Sequence, residues 1–299
     1  MMELIALTRR NCKLFFKDKW MFFTSLITPV ILLVLYVTFL GKIYNNAFAS
    51  AMPEGFGVDD TLISGVVGGQ LISSILAVSC VTVAFCSNLL MVNDKITGAR
   101  HDLTITPVKS SALALSYFFA TFAATLIICL TALAVCLVYL VLVGWYLSLS
   151  DVLLLLLDVV LLVLFGTALS SLINVSLFTS GQGSAIGTIV SAGYGFLCGA
   201  YMPISNFGEG LQKVLSFLPG TYGTSLLRNH AMAGAYREMA AQNYPAEVVE
   251  AMKDSVDCNL YFFGDKVEIG TMYIVLGGSV LLLIGLYVLY NCLKARADA

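Results

Sequence analysis

Residues 191–228 read SAGYGFLCGAYMPISNFGEGLQKVLSFLPGTYGTSLLR, and the breaks in this stretch decide the fold. An apolar helical run ends at Phe196-Leu-Cys-Gly-Ala-Tyr-Met-Pro203. A short amphipathic piece follows, with Phe207, Leu211, Val214, Leu215 and Leu218 on one helical stripe and Glu209, Gln212, Lys213 and Ser216 between them. It is about 20 Å long, too short to cross a bilayer. Pro203 and Pro219 bracket it, and Leu218-Pro-Gly-Thr-Tyr222 leads on to Arg228. A span that stops at one proline, re-enters without crossing and restarts at another leaves backbone groups free. Such groups are tolerated at membrane depth only where protein or a cavity satisfies them. The stretch therefore points to a membrane pathway.

Composition agrees. The 299 residues are 59% hydrophobic and 11% charged, with a mean hydropathy of +0.90. Soluble domains carry about 25% charged residues, so this is a polytopic helical membrane protein. A net charge of −2 and the absence of a long basic run exclude nucleic acid as a partner. Most of the eight cysteines lie in apolar runs, no C-x-x-C occurs, and the two histidines are His101 and His230. Disulfide, zinc and iron–sulfur frameworks do not fit. The first twenty or so positions are too long and too amphipathic for the n-region of a cleavable signal.

Six apolar runs can span: 21–41, 62–92, 111–143, 151–178, 183–203 and 269–293. The second and third are long enough to project beyond the hydrocarbon. Lysine and arginine concentrate at Arg9, Arg10, Lys13, Lys17 and Lys19, at Lys95, Arg100 and Lys109, and at Lys294 and Arg296. The opposite short loops hold Lys42 and nothing in 144–150, which places both termini in the cytoplasm. Residues 3–20 read as an interfacial helix, with Leu4, Leu7, Leu14 and Phe15 on one side and Ile5 and Cys12 near them. Arg9, Arg10, Lys13 and Lys17 face the other way, toward anionic headgroups. Trp20 stands where the first span begins. Within the outer loop, Pro245 can start a helix carrying Val248, Met252 and Val256, a small acidic cap on which Cys258 has no evident partner.

Candidate functional residues fall into four groups. The 93–110 loop holds Asp94, Lys95, Arg100, His101 and Asp102, which can present a docking patch or simply keep the loop out of lipid. Gly183, Gly187, Ser191, Gly195 and Gly199 form an i, i+4 ladder of small residues. Such a ladder suits intramolecular packing, a dimer seam or a flat face for a substrate. Asp158 is an intramembrane carboxylate, about 10 Å deeper than Asp151 on nearly the same face. It is either paired locally near the outer interface or functional, and Arg228 is a partner that could reach it. The fourth group is the broken segment itself, Pro203, Pro219, Tyr222 and Arg228. No phosphate-binding G-x-x-x-x-G-K-[ST], H-E-x-x-H or G-x-S-x-G motif is present, and nothing assembles a catalytic site.

Phe196-Leu-Cys-Gly-Ala-Tyr-Met-Pro-Ile204, with Leu218-Pro-Gly-Thr-Tyr222 and Arg228, resembles the signature of type-2 ABC transporter permeases, whose fold is that of the G subfamily of exporters. Gly98-Ala-Arg-His-Asp-Leu-Thr-Ile-Thr-Pro-Val108 is similar to that family's cytoplasmic Gly-x-x-x-x-Leu-x-x-Thr-Pro loop. The resemblance covers essentially the whole chain. It departs at Glu209-Gly210, where many relatives carry a proline, and at Ala99-Arg100, where relatives are often acidic.

The resemblance implies a single permease domain, 1–299, with a 3–20 interfacial helix, a 93–110 cytoplasmic coupling loop and a 204–268 re-entrant segment and outer loop. Two permease subunits, alike or different, would form the pathway in the cell membrane. Separate ABC ATPase subunits, which bind ATP and Mg, would dock on the coupling loop and the N-terminal helix. Spans two and five would line the pathway, with Tyr194, Phe196 and Leu197 as lining candidates. The expected function is the outward movement of a drug, lipid, peptide or glycan, with no cofactor, metal or nucleotide on this chain. The rivals are an ion-coupled transporter using Asp158, an intramembrane enzyme and a regulatory subunit that moves nothing.

Overall fold

The computed structural model describes residues 2–42, 60–106 and 108–297. Pro107 of the expected coupling loop lies outside the described residues, as do the side chains of Lys294 and Arg296. Helix α1 is Met2–Lys17 and α2 is Lys19–Leu35, continued by a π-helical turn Tyr36–Leu40. Then follow α3 Asp60–Ile96, α4 Ala99–Ile105, α5 Ser110–Val143, α6 Leu149–Asn174 and α7 Ser180–Leu197. Helices α8 Glu209–Leu215, α9 Pro219–Ala241 and α10 Ala246–Ser255 fill the expected outer loop. A two-residue antiparallel ladder, β1 Tyr261–Phe262 with β2 Asp265–Lys266, precedes α11 Ile269–Ala297.

Among the described residues four helices, α3, α5, α6 and α11, are long and apolar enough to cross a membrane, or five if the bent pair α1–α2 is one span. Helix α7 has only 18 residues and opens on Ser180, Gln182 and Ser184, which lowers its apolar content. The runs read as ending at 178 and 203 stop at Asn174 and Leu197. At the second of these, Gly199 takes φ +76, a left-handed conformation that glycine reaches without a Cβ penalty and that ends the helix.

Helix α3 is the hub, buried along most of its length and packed against α2, α5, α6, α7 and α9. A helix that is apolar or small-residued on every face has no other place to go. Helix α1 meets α2 at 73°, the chain turning at extended Asp18, whose carboxylate accepts the Met21 N–H at 3.1 Å. The buried side of α1 is Asn11 and Phe15, with Leu4, Leu7 and Leu14 half-buried, whereas Ile5 is exposed. Ile5 thus leaves the apolar face the periodicity gave it.

The largest departure is α9. Residues read as a return loop form a 23-residue helix whose Gly, Ala, Thr and Ser side chains are mostly buried. Low hydropathy hides such a helix, but small residues let it approach its neighbours closely. A Cβ on Gly69 of α3 would lie 2.8 Å from the Ala231 carbonyl oxygen, and one on Gly234 would collide with the Tyr146 carbonyl. Helices α6 and α9 run antiparallel. Asp151 bonds Arg237 and Asp158 bonds His230, so a step of seven residues forward on one helix matches seven backward on the other. Seven residues is about two turns, which puts both pairs on one seam.

Candidate functional site

A groove of ≈ 1550 Å³ runs between α2 and α7. Its α2 wall is Thr24, Ile27, Thr28, Ile31, Leu32 and Leu35, spaced three and four apart on a single helix face. Its α7 wall is the small-residue face at Gly183, Ser184, Gly187, Thr188 and Ser191, with Phe196 beyond. Cys86 and Leu89 of α3 lie toward one end. Tyr201 to Pro203, Asn206 and the Val248, Ala251, Met252 and Ser255 face of α10 close the other. From Gly183 to Phe196 the α7 wall is about 20 Å long, two-thirds of a hydrocarbon core. Drug-sized sites are usually 300–1,000 Å³, so the groove holds more than a compact small molecule.

The residues singled out from the sequence separate here. Gly187 and Ser191 line the groove, and a Cβ on Gly187 would meet nothing within 4 Å. Gly195 is covered by the Tyr201 ring, and Gly199 lies past the helix end, so the ladder is broken at its C-terminal rungs. Phe196 is a wall residue. Tyr194, expected on the pathway, turns into the core instead and packs on Gly220. Its hydroxyl is buried without a partner among the described residues. Leu197 is exposed but lies off the groove. The α2 wall went unread, although its Thr24–Thr28–Ile31–Leu35 stripe was the signal that could have found it.

The end of the groove beside α10 is tied down by one buried network. Arg228 is 1% exposed; its Nη1 donates to Asp257 Oδ2 at 3.2 Å and its Nη2 to the Gly199 carbonyl at 2.5 Å. Asp257 also accepts the backbone N–H groups of Ile204, at 2.5 Å, and Ser205, at 3.3 Å. Four segments meet there: the end of α7, the turn after Pro203, α9 and the residues after α10. Pro219 opens α9, and Tyr222 Oη donates to the Ser216 carbonyl at 2.6 Å, clamping the turn between α8 and α9. Cys258, next to Asp257, is a free and buried thiol, and burial pushes its pKa up to about 12.

Asp158 does not meet Arg228. It accepts from Tyr273 Oη of α11 at 2.6 Å, and its other oxygen lies 2.6 Å from His230 Nδ1 of α9. Asp158 and Arg228 sit on different seams because each was taken by a nearer partner that sequence distance concealed. A carboxylate that is 0% exposed needs both donors. Tyr273→Phe removes one of them, and the expected loss is about 1–3 kcal/mol of stability. Thermal unfolding of the purified chain measures it.

The expected docking patch also divides. Asp94 is buried and accepts from Arg10 Nη1 and Tyr117 Oη, both at 2.7 Å. Lys95 donates to the carbonyls of Asn174, Val175 and Leu177 at 2.7–3.0 Å, closing the C-terminus of α6. Both residues therefore brace the bundle and do not form part of an open patch. Arg10, placed by periodicity on the outward basic face of α1, turns inward to join α1 to α3. His101 and Asp102 remain exposed on α4, with Arg100 half-buried. Arg9, Lys13 and Lys17 remain exposed on α1.

Among the described residues no group of three or more histidine, cysteine or acidic side chains is placed to hold a metal ion. The family model described as ABC-2 type transporter matches residues 2–231. No curated protein matches the chain at a significant level.

Proposed function

Because this chain belongs to the ABC-2 type transporter family, and is thus a multi-pass permease subunit, we propose that it is the membrane half of an ATP-driven exporter whose cargo moves along the α2–α7 groove. The observation that carries this reading is the groove itself. It has one helical stripe and one small-residue face for walls, and it is closed at one end by a cap that the Arg228–Asp257 network holds in place. Two permease subunits would face each other across their grooves. Six helices would cross the cell membrane, α7 completing the set that apolarity alone selects, with both termini in the cytoplasm.

Helices α4 and α1 form the docking side in this proposal. Arg100, His101 and Asp102 meet the ATPase, while Asp94 and Lys95 pass its movement into α3 and α6. ATP and Mg are bound by that separate subunit. Closure of the ATPases rocks the two bundles, and the cap gives way to release cargo outward. Ion coupling through Asp158 is the weaker reading, since both of its oxygens are held by His230 and Tyr273 and neither lines the groove.

The test is reconstitution in vesicles. The chain alone is expected to hydrolyse no ATP; with its partner ATPase it moves cargo only when ATP is supplied. ATP hydrolysis by the pure chain, or cargo movement driven by a proton gradient without ATP, overturns the proposal.

A further inference from the structure

The groove wall carries a clue to the chemistry of its occupant, and the inference rests on the groove being the cargo path. Among its described lining residues only one is charged, Glu247, at the outer end on the first turn of α10. Its acidic neighbours are committed elsewhere. Glu250 pairs with Lys266, which holds its carboxyl below the usual range, and also accepts from Asn259 at 3.0 Å. Asp254 accepts from Asn259 at 2.7 Å and Tyr261 at 3.1 Å. Asp257 belongs to Arg228. Lys253, the nearest cation on α10, points to Glu250 and to the Tyr236 ring. Glu247 is exposed and has no hydrogen-bond or ion-pair partner among the described residues.

Two of the hydroxyls along the groove lean the same way. Thr24 Oγ1 donates back to the Trp20 carbonyl at 2.8 Å, and Thr188 Oγ1 to the Ser184 carbonyl at 2.9 Å. A hydroxyl whose proton is spent on its own helix shows the groove only lone pairs. Apolar walls, acceptor lone pairs and one free carboxylate suit a hydrophobic body with a positive charge. They offer no cation to a phosphate or carboxylate, and the Asn206 amide is the one side-chain N–H donor among the described lining residues.

We propose that the groove takes a hydrophobic organic cation, whose charge is drawn toward Glu247 at the outer end. An anionic cargo of the same size would be rejected, because its charge would be desolvated with no cation to pair with it and with Glu247 repelling it.

The test uses the full chain in nanodiscs of neutral lipid. The probes are tetraphenylphosphonium and tetraphenylborate, which share size and shape and differ in sign. Equilibrium dialysis against empty nanodiscs removes the lipid contribution. The expected result is saturable binding of the phosphonium and none of the borate. Glu247→Gln weakens phosphonium binding roughly three- to tenfold, as one partly exposed charge contact should. Glu247→Lys weakens it further and admits the borate. Phosphonium binding that is indifferent to Glu247→Gln, or saturable borate binding to the unaltered chain, overturns the inference. ATP-driven efflux of some other cargo without phosphonium binding also overturns it and leaves the exporter reading standing. Glu247-dependent binding with no ATP-driven movement of any cargo upholds the site and overturns the exporter reading.

Discussion

Arg228→Ala is expected to destabilise the α10 end of this permease by about 3–5 kcal/mol, the range for leaving one member of a buried ion pair without its partner. Asp257 is only 4% exposed and would keep its charge with two backbone N–H groups as its remaining donors. The Gly199 carbonyl would lose its Nη2 donor as well. The loss should be local at first. Helix α10, the turn after Pro203 and the end of α7 share this one anchor, so proteolysis should cut near 199–206 and 242–258 before the bundle melts. The double variant Arg228→Ala with Asp257→Asn removes the orphaned charge and is expected to recover part of the loss. A single-variant melting curve matching the parent within about 0.5 kcal/mol, the range of an ordinary surface change, would falsify the anchoring role.

The same network shows what the sequence could and could not disclose. The breaks at Pro203 and Pro219 were legible because proline lacks an N–H and cannot continue a helix from within. Helices α3 and α5 were legible as long apolar runs, and α10 followed from Pro245 and the Val248–Met252–Val256 spacing. Helix α9 was not, because a helix packed through Gly, Ala, Ser and Thr has neither high hydropathy nor a clear apolar stripe. Pairing was the other blind spot. The sequence offered Asp158 as a partner for Arg228, whereas the partner found, Asp257, depends on how α9 and α10 pack. Asp94, Lys95 and Arg10 were read as surface charges for a related reason. Charges near a helix end look like solvated ones until the three-dimensional neighbours Tyr117 and the α6 carbonyls are known.

The groove was half legible. The Gly183–Gly187–Ser191 face of α7 stood out, but a small-residue face can pack, dimerise or bind. What sets packing within the chain aside is the empty space over Gly187, which no pattern of letters contains. That space also gives the second large prediction its design. Gly187→Trp inserts an indole where a Cβ meets nothing within 4 Å, so the fold should hold while the groove is narrowed between its α2 and α7 walls. Gly193 is equally free of neighbours within 4 Å but is not a groove residue, which makes Gly193→Trp the matched control.

ATP-driven efflux from vesicles holding the complete complex, measured for the parent, Gly187→Trp and Gly193→Trp, tests the cargo path most directly. Melting temperature and ATPase assembly are recorded alongside it. The expected result is at least a tenfold loss of efflux for Gly187→Trp, with melting and assembly unchanged, and near-parental efflux for Gly193→Trp. Parental efflux from a folded, assembled Gly187→Trp complex would contradict the assignment of the α2–α7 groove as the path.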